Sequence, residues 1–187
     1  MLIAALAAAL MAQTPVTAAQ DGPISTAGGA TETATQVRLR EALAYSNPLP
    51  RGAPTLDYPL VAWCDALVSG HVRLGETLTD RNAEDLEIMR LGRLEASDFR
   101  SALAAAGSRQ TAVTRAAAAQ AAAAATARWT PLIAQEDEAA RSQSFGLFFG
   151  LPGRCEHAAR RIRANITTPP ATLEEVGLRS EGVDPVE

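Results

Sequence analysis

The stretch LVAWCDALVSGHVRLGETL, Leu60 to Leu78, carries the strongest periodic signal in the chain. Leu60, Cys64, Leu67, His71, Leu74 and Leu78 recur at alternating spacings of four and three. That period places all six on one face of an α-helix. Val61, Val68 and Val72 widen the apolar face, and the pattern lapses after Leu78. A stripe this broad needs partners, so the rest of the chain is read for further helices.

They follow directly. Asn82 is a good N-cap, and Glu84, Asp85 and Glu87 sit in the first turns, where the helix dipole favours negative charge. The spacing predicts a second helix from about Ala83 to Ala106, with Ile88, Met89, Phe99 and Leu103 within an arc of roughly 100°. Leu86, Leu91 and Leu94 lie outside that arc, which predicts cover on more than one side. Gly92 and the Ser97–Asp98 pair are candidate bends. Gly107 ends this helix and Ser108 is placed to cap a third, which contains RAAAAQAAAAATARW, Arg115 to Trp129. Alanine is the best helix former, and Arg115, Gln120 and Arg128 interrupt the tract too often for a membrane span. Pro131 marks a kink or a new helical start.

Beyond the acidic run Glu136–Glu138, the glycines and Pro-Gly pair of SFGLFFGLPG predict a hydrophobic turn from Phe145 to Gly153. A last helix from about Arg154 to Ile166 repeats the apolar spacing at Cys155, Ala159, Ile162 and Ile166. No alternating β-branched run is long enough to argue for a sheet. The expectation is all-α: an antiparallel bundle of three to five helices with flexible N- and C-terminal segments.

The segment MLIAALAAALMAQTPVTAAQ reads as a secretory signal peptide over residues 1–19, with small residues at Val16, Ala18 and Ala19 for cleavage. It carries no Arg or Lys. Its apolar run falls short of the ~20 residues a span requires. Residues 20–54 are expected to be a flexible Gly/Pro-rich segment. Within it QVRLREALAYS can form three turns of helix on Val37, Leu43 and Ala44, and Pro48, Pro50, Pro54 and Pro59 favour an extended arm. The bundle domain is placed at 55–168 and a flexible acidic tail at 169–187. The expected location is periplasmic or secreted, with no transmembrane helix in the mature chain.

All 17 basic residues are arginine and the net charge is −4, so nothing draws the chain generally to nucleic acid. Aromatic residues make up 4% of the chain and are scattered, which removes the stacking platforms of single-strand binders.

Two cysteines, Cys64 and Cys155, and two histidines, His71 and His157, are the reactive inventory. In an oxidising compartment two cysteines on apolar helical faces are expected to pair as a disulfide. A Cys2His2 metal site is the alternative. Against it, Cys64 and His71 are separated by about 10.5 Å of helical rise, and Cys155 and His157 point to nearly opposite sides of a helix. A third reading makes His71 the general base of a small hydrolase, although no HExxH, GxSxG, SxxK or phosphate-binding glycine loop is present.

No cofactor motif is found. Phe145, Phe148 and Phe149 with Arg154, Arg160, Arg161 and Arg163 form a candidate contact patch for a protein or envelope-surface partner; the competing reading is a phenylalanine core plug beside a solvated arginine face. The function expected from the sequence is that of an exported, non-enzymatic helical protein acting through contacts, with metal binding or His71-based hydrolysis as alternatives.

Overall fold

The computed structural model describes residues 32–148 and 150–178. The expected signal segment, Phe149 and the tail beyond Leu178 lie outside the described residues. Among the described residues the chain is all-helical and has no strand. Its elements are α1 (Ala34–Ser46), α2 (Asp57–Glu76), α3 (Ala83–Gly107), α4 (Ala112–Ile133), α5 (Glu138–Gly146), α6 (Arg154–Arg163) and a 3-10 turn, Glu174–Val176.

The Leu60–Leu78 stripe becomes the central helix. α2 packs against α3, α4, α5 and α6, and it buries Trp63, Ala62, Gly70 and Gly75 as well as the expected stripe. A helix buried on nearly every side is the axis of its domain. It begins at Asp57, earlier than the stripe, because Pro59 falls in the first turn, where a missing N–H costs nothing.

The Tyr58 hydroxyl lies beside Gly107, so α3 runs antiparallel to α2. Asn82 caps α3 in a reciprocal capping box with Asp85. α3 runs unbroken through Gly92, whose missing side chain leaves room for Val72. α3 packs on both α2 and α6, and of the leucines outside its arc Leu91 is half-buried while Leu86 and Leu94 are exposed, Leu94 by 56%. The cap of α4 is Thr111 rather than Ser108, its hydroxyl accepting from the Thr114 N–H. α4 buries Ala118, Ala125 and Trp129, a spacing of seven and four, and methyl-sized contacts let it lie close along α2. It continues through Pro131 to Ile133.

Two elements extend the expected bundle. α5, capped by Asp137, occupies the start of the region read as a turn and places Phe145 in the core. α1 packs on α6 and on the 3-10 turn, so residues 33–54, placed before the bundle in the sequence reading, belong to the same compact unit. No helix among the described residues is long and apolar enough to cross a membrane.

Candidate functional site

Cys64 of α2 and Cys155 of α6 form a disulfide, with Cα atoms 6.1 Å apart and a sequence separation of 91. Both lie in the core, at most 1% exposed. The bond joins the central helix to the last one and uses both thiols, which removes them from any metal set. Among the described residues no group of three His, Cys, Asp or Glu side chains is placed to hold a metal.

His71, 3% exposed, lies about two turns further along the same face of α2 in an aromatic box. Its ring stacks on Phe145 at 4.3 Å, with Phe148 at 4.5 Å and Trp129 at 5.8 Å. Its Nε2 lies 2.9 Å from the Phe145 carbonyl oxygen. A carbonyl only accepts, so Nε2 carries the proton. Burial lowers the His71 pKa below the usual imidazole range, and the carbonyl bond only partly offsets this. The histidine therefore ties α2 to the end of α5 as a neutral ring. Among the described residues no carboxylate is hydrogen-bonded to it.

Beside this box is an open cleft of about 260 Å³, lined by Pro50, Trp63, Leu67, Arg128, Trp129, Leu132, Phe148, Gly150 and Pro152. Local sequence explains its walls. Trp63 and Trp129 are the chain's two tryptophans, one on α2 and one on α4. The pyrrole edge of Trp129 occupies the space in which Gly70 lacks a Cβ, which seats the indole against α2. Neither indole Nε1–H has a hydrogen-bond partner among the described residues, although both atoms are buried. The rim is built by the turn Pro50–Ala53, closed by the Ala53 N–H to the Pro50 carbonyl at 3.0 Å. Gly52 has φ +81° in that turn, the left-handed conformation a type II turn requires at its third residue. The turn aims the Arg51 carbonyl at Arg128, whose Nη2 donates to it at 2.6 Å. The Arg128 guanidinium also lies 5.5 Å from the Trp63 ring, within cation–π range. It is solvent-exposed and makes no ion pair among the described residues, so a positioned, hydrated charge stands at the edge of an apolar cleft.

The arginines of α6 divide. Arg161, 4% exposed, is buried in a charged cluster: Nη1 donates to Glu41 at 3.0 Å, Nε to Asp57 at 3.0 Å, and Nη2 to the Thr168 carbonyl. Arg160 approaches the same Glu41 at 3.3 Å. The Tyr45 hydroxyl donates to Asp57 at 2.7 Å, and burial with that bond pushes its pKa well up. Arg154 lies over the Tyr45 ring at 4.3 Å and donates to the Thr55 carbonyl. Arg163 pairs with Asp98 of α3 at 2.6 Å. These side chains hold α1 and α3 against α6.

The patch read from sequence is therefore not one surface. Phe145 is core and Arg161 is buried, while Arg154, Arg160 and Arg163 face α1 and α3. Phe148 is half-buried and contributes to the cleft, and Phe149 lies outside the described residues. Sequence reasoning missed Trp63, Arg128 and Glu41. Trp63 is one residue off the α2 stripe, and Arg128 reads as an interruption of the alanine tract. The Pro-Arg-Gly run at 50–52 was the available signal, since it encodes the turn that fixes Arg128.

No family model, curated protein or solved structure matches the chain.

Proposed function

We propose that this is an exported, non-enzymatic helical protein, working in the periplasm or outside the cell, that acts by holding a ligand at the cleft lined by α2, α4, Phe148, Gly150 and Pro152. The observation that carries this reading is the cleft itself. Both tryptophans of the chain, a phenylalanine and two prolines surround it, and the one charged side chain in its lining is Arg128. Clefts with apolar walls and a few polar groups are the usual form of ligand sites. The leader-like segment and the Cys64–Cys155 pair support an oxidising, exported setting. The burial of His71, with its Nε2–H given to the Phe145 carbonyl, supports a packing role for that ring.

The test has two parts. A mass spectrum of the chain expressed with its own N-terminus should show cleavage after Ala18 or Ala19 and a gain of about two daltons on reduction. Uncleaved protein with two free thiols, retained in the cytosol, would remove export from the reading. Photo-crosslinking from position 132, in the cleft, should capture a bound species that crosslinking from the exposed Val113 does not. Equal labelling from both positions would remove the cleft.

A further inference from the structure

The chemistry of the cleft specifies its occupant more closely, an inference that rests on the binding reading above. We infer that the cleft takes a small organic acid: an apolar or aromatic body seated between Trp63, Trp129 and Phe148, with its carboxylate on Arg128. Three features lead there. The space, about 260 Å³, lies just below the ~300–1,000 Å³ of sites for drug-sized ligands, so the body is small. The walls are rings, prolines and leucines, which reward an apolar or flat body. Arg128 supplies the head-group specificity.

Arg128 suits that task because it is already fixed. The Arg51 carbonyl holds its Nη2 and its Cζ lies over the Trp63 ring at 5.5 Å, so less side-chain freedom remains to be lost on binding. Its Nη1 and Nε have no partner among the described residues, and no carboxylate neutralises it. Arg128 is solvent-exposed, so a neutral occupant leaves its charge to water. A carboxylate would answer it with charge-assisted hydrogen bonds. Trp63, 1% exposed, forms part of the apolar wall on which the body of the acid rests.

The experiment compares 4-phenylbutyrate with 4-phenylbutanol, which share a body and differ in charge. Each is titrated into the 15N-labelled, disulfide-bonded full chain, with affinities from calorimetry. Both tryptophans line the cleft, so the two indole Nε1–H resonances report occupancy directly. The acid should shift both resonances with 1:1 saturation and bind at least ~tenfold more tightly than the alcohol. Arg128→Gln should erase that preference while leaving the alcohol within ~twofold; Arg128→Lys, which keeps the charge, should retain part of it. Leu132→Trp, which fills the cleft, should abolish binding of both compounds with far-UV helicity unchanged. Equal binding of acid and alcohol, or an acid affinity indifferent to Arg128→Gln, would overturn the organic-acid assignment and leave the cleft as a neutral site. Indole resonances that move with neither compound would overturn the cleft reading along with it.

Discussion

The pyrrole edge of Trp129 rests on the backbone of Gly70, in the space that any Cβ at position 70 would fill. This contact sets how closely α4 lies against α2, and it seats one wall of the cleft. Gly70→Ala replaces open space with an overlap against a rigid ring. Intrinsic helix propensity favours the alanine by about 1 kcal/mol, but forced overpacking costs ~1–3 kcal/mol. The expected net result is a loss of stability in urea denaturation, with a red-shifted tryptophan emission as the indole is displaced. A more stable variant with unchanged emission would contradict the contact.

The Cys64–Cys155 bond closes a loop of 91 residues. In the chain-entropy account a loop of this length stabilises the fold by roughly 4–5 kcal/mol. Cys64→Ala with Cys155→Ala should therefore lower the urea midpoint strongly. Reduction of the native chain should give a similar loss, since both treatments release the same constraint. A double variant as stable as the oxidised protein would show that the bond stabilises nothing.

Acid should weaken the fold through its histidines. Burial lowers the pKa of both His71 and His157 below the usual value. The unfolded chain then binds protons that the folded chain refuses, so stability rises with pH across the interval below the unfolded value of about 6.5. The loss should set in as pH falls through that value and flatten once the folded pKa is passed. His71→Gln, which retains a donor toward the Phe145 carbonyl, should shrink the slope measured by denaturant titration between pH 7.5 and pH 5. An unchanged slope would assign the acid sensitivity to other groups.

Arg161 holds α1 through Glu41, and both side chains are buried. Arg161→Met leaves the Glu41 carboxylate buried with only the half-exposed Arg160 beside it. Breaking a buried pair in this way costs ~3–5 kcal/mol, more than the apolar face of α1 can return. Amide hydrogen exchange in α1 should accelerate while α2 and α3 keep their protection. Uniform loss of protection would show instead that Arg161 supports the whole core.

Much of the fold was legible in the sequence. The four-three spacing of Leu60 to Leu78 specified the central helix, Asn82 with Asp85 specified where α3 starts, and Cys64 and Cys155 each stood on an apolar face. These signals are local: capping and periodicity act within one or two turns, so the residues that carry them are neighbours in the chain. α1 shows where that reasoning stops. Val37 and Leu43 looked like its anchors, yet Leu43 is largely exposed and the helix is held by Glu41, Ala42 and Tyr45. The reason is 120 residues away, at Arg161.

The cleft is the same case. Pro50, Trp63, Arg128 and Pro152 are unremarkable in their own segments, and no periodic rule connects them. The sequence by itself determined that α2, α3, α4 and α6 are helical, that the Leu60–Leu78 face turns inward, and that two cysteines would be core residues. Tertiary structure alone decided which helices meet, that Phe145 and Arg161 leave the surface, and that a turn at Gly52 sets the Arg128 charge beside two indoles. The division follows the range of the forces. Backbone propensity and amphipathic burial are written within a few residues, whereas an ion pair, a ring contact or a cleft exists only once distant segments have packed.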